Sequence, residues 1–182
     1  MIRIIALSDT HLEGKTPIPL GLAELLSGAD MILHAGDFVS PEVYRALAEM
    51  GRLEAVCGNA DSPELKRLLP VRKTLEVEGI RIGLVHRASH SFDTTGAEMM
   101  AREMDVDVLV FGHIHRPIVE KGDRLLICPG SPTFPRQSAP SIAELEIKDG
   151  RISGRIVPLG SPTCDYLRYA QSLAEKSSKD ED

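Results

Sequence analysis

Five polar clusters in this chain carry residue types that bind metal ions: Ser8-Asp9-Thr10-His11, Gly36-Asp37, Gly58-Asn59-Ala60-Asp61, His86 and Gly112-His113-Ile114-His115. All six histidines fall between His11 and His115, and four of them end an apolar run or follow one within three residues. Scattered surface histidines would not collect in this way. Asp9, His11, Asp37, Asn59, His86, His113 and His115 offer oxygen and nitrogen donors and no sulfur. That set suits Mn, Fe, Ni, Co or Zn at a hydrolytic centre better than a structural zinc. Seven donors exceed what one ion takes. Two ions about 3.5–4 Å apart, sharing a carboxylate, use them economically; such a pair activates a water and clamps the attacking and leaving oxygens of a phosphate ester.

Something must hold each cluster, and the apolar runs before them supply it. Residues 2–8, 31–35, 53–57, 80–85 and 107–111 read as strands, each running straight into a cluster. Residues 20–26 form a helical pattern, and helices also open at Ser40-Pro41-Glu42 and Ser62-Pro63-Glu64, where serine stands at the cap and proline at the first helical position. These two run to Met50 and Leu69, and residues 97–104 form a fourth helix. Hairpins are expected at Gly79, at Lys121-Gly122-Asp123 between strands 118–120 and 124–128, and at Lys148-Asp149-Gly150 between strands 143–147 and 151–157. The first half thus alternates strand and helix, implying parallel strands with crossover helices, while hairpins in the second half imply antiparallel ones. A mixed α/β sandwich of two sheets with helices outside satisfies both. In open α/β sheets, ligands bind beyond the carboxyl ends of the strands, where these clusters sit. The pattern fades beyond Pro158: one domain is read over 1–160, and a helical or partly disordered tail over 161–182, with an amphipathic helix across 166–176.

Composition narrows the function classes. At 182 residues the chain is long enough for one self-sufficient core. Its net charge is −6, so it lacks the overall basic character that sequence-independent binding to long nucleic acid needs. Tryptophan is absent and aromatics are only 4%, which weakens any case for base-stacking platforms. Cys57, Cys128 and Cys164 are odd in number and contain no CxxC, which argues against a disulfide framework and for a reducing, cytoplasmic setting. The apolar run at residues 1–7 is too short for a signal peptide or a membrane span.

Taken together, Asp9-Thr10-His11, Gly36-Asp37, Gly58-Asn59-Ala60-Asp61, His86 and Gly112-His113-Ile114-His115 resemble the motifs of the calcineurin-like metallophosphoesterases, in the same order across residues 2 to about 157. Within that superfamily the chain is most similar to the small single-domain microbial phosphodiesterases, which share a segment like Cys128-Pro129-Gly130-Ser131. The resemblance implies a four-layer α/β/β/α sandwich and a dinuclear centre. Asp9, His11, Asp37 and His115 would hold one ion; Asp37, Asn59, His86 and His113 the other, with Asp37 bridging. The implied cofactor is two divalent ions, manganese first, with nickel, iron, cobalt and zinc as alternatives. The implied activity is hydrolysis of small phosphodiesters by a hydroxide bridging the ions, with Asp37, Asn59 and His113 as the catalytic set. A phosphomonoesterase and a non-catalytic interaction scaffold of the same fold are the alternatives. No membrane or long nucleic-acid partner is expected, and a homodimer is the default oligomer.

The chain departs from the superfamily in two places. Ala60 stands where many members have a histidine that binds phosphate or protonates the leaving group, which argues for substrates with good leaving groups. Arg87 replaces the usual glycine after the metal-binding histidine, and either contacts substrate phosphate or narrows the site. His90 is a loop residue near the site or the substitute acid, and Arg136 is a candidate substrate contact or a solvated side chain. His34 reads as a buried, hydrogen-bonded histidine, and Cys57 and Cys128 as buried apolar residues. Asp61 is expected to cap the helix that opens near Pro63 and to bind no metal.

Overall fold

The computed structural model describes residues 1–88, 93–136 and 138–161. The expected tail, its helix at 166–176, Cys164 and His90 lie outside these. Among the described residues, ten strands and four helices follow in the order β1(Ile2–Leu7), α1(Leu20–Ser27), β2(Met31–His34), α2(Pro41–Glu49), β3(Leu53–Ala55), α3(Pro63–Leu68), β4(Arg72–Val77), β5(Ile80–Val85), α4(Thr95–Glu103), β6(Val108–Val110), β7(Pro117–Lys121), β8(Leu125–Pro129), β9(Ser141–Lys148) and β10(Arg151–Pro158).

Two five-stranded sheets result, ordered β10-β9-β1-β2-β3 and β4-β5-β6-β8-β7. In the first, β1, β2 and β3 are parallel and β9 lies antiparallel on the other side of β1. The crossovers through α1 and α2 are the strand–helix alternation read in the sequence. The second sheet differs from its hairpin reading. Two of the three expected hairpins are there, β4–β5 and β7–β8, while the third, β9–β10, joins the first sheet; but β5, β6 and β8 at the centre of the second sheet are parallel, because α4 and then β7 carry the chain back between them.

Strand alternation explains the layers. Ile4 and Ala6 of β1 and Met31 and Leu33 of β2 pack with Ile82, Leu84, Val108, Val110 and Ile127 of the other sheet. Their neighbours Ile5, Leu7 and Ile32 face the opposite way, onto Leu22 and Leu26 of α1, Val43 and Leu47 of α2 and Leu65 of α3. On the far side, Leu109, Leu126 and Cys128 meet Ala97 and Ala101 of α4. Helices, sheet, sheet and helix therefore form four layers around three apolar clusters, the architecture expected of the α/β/β/α sandwich. Each such side chain fully buried contributes about 1.5–3 kcal/mol. That makes the sandwich a rigid frame for the loops that leave it. Among the described residues, no helix is long and apolar enough to cross a membrane.

Candidate metal centre

The loops after β1, β2, β3, β5 and β6 converge at one end of the sandwich. Their backbones are bonded to one another: Asp9 N donates to Gly36 O at 3.0 Å, His11 N to Asp37 O at 3.1 Å and Gly112 N to His86 O at 3.0 Å. Close approach is enforced by glycine. A Cβ on Gly112 would overlap Ser8 Oγ, and one on Gly36, whose φ is +90°, would lie 2.7 Å from Gly58 N. Asp9, His11, Asp37, His113 and His115 all take left-handed backbone angles, with φ between 42° and 75°. Such conformations cost on the order of 1 kcal/mol or more each for residues with a Cβ, and persist where the surroundings over-determine them. Here they turn each side chain inward from the end of its strand.

Asp9 is fully buried. Its Oδ2 accepts from Ser8 Oγ at 2.6 Å and from the His113 backbone N–H at 2.9 Å. Among the described residues its Oδ1 has no hydrogen-bond partner, and it lies 3.2 Å from His115 Nε2 and 3.8 Å from His11 Nε2. Asp37 Oδ1 accepts from Ala60 N at 2.7 Å. Asp37 Oδ2 sits between two imidazoles, 3.4 Å from His11 Nε2 and 3.3 Å from His86 Nε2. Asn59 Oδ1 is 3.1 Å from the same His86 nitrogen, and His11 and His115 face each other through Nε2 atoms 3.3 Å apart. The His113 ring stands edge-on to His86, with centroids 5.3 Å apart.

His86 Nδ1 donates to Ala35 O at 2.8 Å and His115 Nδ1 to Phe134 O at 2.7 Å. In the neutral rings both Nε2 atoms then carry lone pairs, each aimed at a carboxylate oxygen. Lone pair against lone pair is repulsive unless a proton or a metal cation lies between. Anchoring the far nitrogen on a backbone carbonyl is also how metal-ligating histidines are oriented. Donors bonded at about 2.1 Å to one ion stand about 3.0 Å apart in an octahedral shell and about 3.4 Å in a tetrahedral one. The observed separations, 3.1–3.8 Å, run from between those values to slightly above them, and the buried Asp9 Oδ1, without a hydrogen-bond partner among the described residues, adds to the fit. Two groups gather within 4.8 Å, Asp9 with His11 and His115, and Asp9 with Asp37 and His86. Asp9 belongs to both, which the motif resemblance does not imply.

Electrostatics favour positive charge here. Burial alone would raise the Asp9 carboxyl, but His11, His86 and His115 hold it below its ordinary value. Asp37 is likewise held low against its burial, chiefly by His86. Burial works to lower His86, yet Asp37 and Asp9 raise it overall. Burial pushes His113 and His115 down.

The structure therefore brings Asp9, His11, Asp37, Asn59, His86 and His115 together, with His113 alongside. Arg87 lines a cleft next to His86, and Arg136 is an exposed residue whose backbone N–H reaches His115 O at 3.4 Å. His34 is buried as expected: its Nδ1 accepts from Gly36 N at 3.1 Å and its ring stacks on Phe38 at 3.6 Å. Asp61 is a correction. Ser62, not Asp61, caps α3, accepting from Leu65 N. Asp61 instead accepts from Gly58 N at 2.7 Å, Val39 N at 2.8 Å and Asp37 N at 3.2 Å, tying the second and third clusters together. Ser40 holds its cap position without a side-chain cap bond, its hydroxyl donating to Gly14 O. Ser8, which orients Asp9, and Ser131, which donates to Asp9 O at 2.6 Å, stand inside motifs read in the sequence but carry no assigned role there. Adjacency to Asp9 was the signal for Ser8. Phe134, half-exposed and 5.5 Å from the His11 ring, carried no local signal.

Comparison with known proteins places this geometry. The calcineurin-like phosphoesterase superfamily domain matches residues 2–150. A probable metallophosphoesterase of Methanothermobacter thermautotrophicus is 34% identical over 166 residues, covering 90% of this chain and 96% of that one. Phosphodiesterase YfcE of Escherichia coli is 31% identical over 164 residues, covering 78% and 85%. Among solved structures, Vps29 of Chaetomium thermophilum superposes with a TM-score of 0.71 at 22% identity, covering 89% of this chain and all of that one, a likeness of fold. With a metal-ready cluster at the motif positions and that match across most of its length, the chain belongs to the calcineurin-like phosphoesterase superfamily, a metal-dependent family of hydrolases.

Proposed function

We propose that the chain is a divalent-metal-dependent phosphodiesterase acting on small diesters through a dinuclear centre, with manganese as the first candidate metal. The observation that carries this reading is the position of Asp37 Oδ2, 3.4 Å from His11 Nε2 and 3.3 Å from His86 Nε2. One oxygen facing the Nε2 atoms of two histidines from different loops is where a bridging carboxylate belongs. Asp9, His11 and His115 would hold one ion with Asp37; Asn59, His86 and His113 would complete the other, with Asp9 close to both groups. When bound, such a pair supplies a hydroxide nucleophile at neutral pH and stabilises charge on the phosphoryl oxygens.

The chain's own residues set the limits of that chemistry. His86 and His115, each fixed through Nδ1 on a carbonyl, keep Nε2 available to an ion. The His113 ring, half-buried beside His86, is pushed by burial toward its uncharged form, in which a ring nitrogen carries a lone pair for an ion. Ala60 uses its backbone N–H to orient Asp37 and has no side-chain proton for a departing alkoxide. Diesters with good leaving groups are therefore the preferred substrates. The test is hydrolysis of bis(p-nitrophenyl) phosphate beside p-nitrophenyl phosphate, after chelation and re-addition of Mn, Ni, Co, Zn or Mg. Metal-restored cleavage that favours the diester, and loss of both activity and bound metal in Asp37→Ala, is the expected result. A preference for the monoester, or no cleavage with any metal by the folded protein, overturns it.

A further inference from the structure

A cleft of about 410 Å³ opens beside the Asn59 and His86 side of the centre. That volume lies in the range of small-molecule sites, about 300–1,000 Å³. Its body is apolar, walled by Val71, Val85 and Met100. Three cationic side chains also line it: Lys66 from α3, Arg72 from the first position of β4 and Arg87 from the loop after β5. No carboxylate lines it among the described residues. This concentration of positive charge contrasts with a chain whose net charge is −6. Two of the cations are already oriented. Lys66 Nζ donates to Asn59 O at 2.7 Å, and Arg72 pairs with Glu103 at 2.6 Å from outside the cleft.

Resting on the phosphodiesterase reading, we propose that this cleft is a subsite for one organic arm of the diester, and that it selects an arm carrying a second phosphate of its own. The apolar walls take the body of the arm, and the guanidinium of Arg72, with Lys66 and Arg87, takes the terminal phosphate. Guanidinium groups suit this role because their planar fork matches phosphate oxygens. The reacting phosphorus would lie at Asn59 and His86 while the arm extends toward Arg72. Substrates of this kind resemble a nucleoside that bears phosphate at both ends, and they differ from a plain dialkyl or diaryl phosphate by one anionic group.

The test separates binding from turnover. The full-length, manganese-loaded protein is titrated calorimetrically with thymidine 3′,5′-bisphosphate and with thymidine 5′-monophosphate. The bisphosphate should bind about tenfold more tightly. In Arg72→Met that preference should shrink about fivefold, the upper end of what a partly exposed ion pair supplies, and Arg72→Lys should recover part of it. Val71→Glu, at a rim position that is 70% exposed, adds a repelling charge without touching the core and should abolish the preference. Equal affinity for the two nucleotides, or a preference unchanged in both Arg72→Met and Val71→Glu, overturns the proposal. Hydrolysis of bis(p-nitrophenyl) phosphate is measured on the same wild-type sample. Its loss speaks against the phosphodiesterase reading, whereas the calorimetric preference speaks to the cleft.

Discussion

Asp61→Asn isolates a carboxylate that is buried to 3% exposure and binds no ion in the reading above. Its two oxygens accept three backbone N–H groups, from Asp37, Val39 and Gly58. Asparagine keeps the shape but replaces one oxygen with an amino group. If its carbonyl keeps Asp37 N and Gly58 N, two charge-assisted bonds become neutral ones, a loss of about 1 kcal/mol each. The amino group then faces Val39 N–H, leaving a buried donor without an acceptor, at about 1–3 kcal/mol. The sum is about 3–5 kcal/mol, a large share of the 5–15 kcal/mol typical of a domain. The measurement is urea unfolding of wild type and variant in chelator, so that metal affinity does not contribute. A second measurement is manganese binding, which should weaken because Asp37 and Val39, at φ of 63° and 79°, lose what holds them there. A stability change below about 1 kcal/mol, with unchanged manganese affinity, would refute the idea that Asp61 ties the two loops together.

Gly112→Ala should destabilise by about 1–3 kcal/mol through overpacking and weaken metal binding, since its Cβ would meet Ser8 Oγ and Asp9 Oδ2; Gly122→Ala, with nothing within 4 Å, is the neutral control. Metal at a hundredfold excess over its Kd should add about 2.7 kcal/mol and raise the thermal midpoint by about 5–10 °C; Asp37→Ala should show no such shift in the same scan. His34 has a defined acid signature. Burial pushes its imidazole down to about 3, while the unfolded chain takes up that proton near 6.5. Between those values the unfolded state binds the extra proton, so stability falls as pH drops, by about 2 kcal/mol at pH 5, and the effect vanishes above about pH 7. His34→Gln should flatten the urea-midpoint profile between pH 7 and 5, and an identical slope in both proteins would contradict the assignment.

Most elements were legible because their causes are local. Ile2–Leu7 and Met31–His34 are short apolar runs ended by polar clusters, and Ser62-Pro63 opens a helix through its own cap. The site was legible for a related reason. In a parallel sheet every strand end faces the same rim, so a sequence that puts Asp, Asn or His after each run already implies their meeting. Asp61 shows the boundary of that logic. An aspartate before Ser-Pro is locally a helix cap, yet its partners Asp37 and Val39 lie more than twenty residues away. The parallel centre of the second sheet has the same origin. Val108 pairs with both Ile82 and Leu125, a choice made by packing across Ile4 and Leu33 and not by hairpin turns. The residue types and their order therefore determined the layers, the candidate donor set and the family. Which lone pairs face one another, which carboxylate holds loops and which could hold ions, and the cationic cleft beside His86 were decided by tertiary structure, because each depends on side chains that only the packed sheets bring within hydrogen-bonding distance.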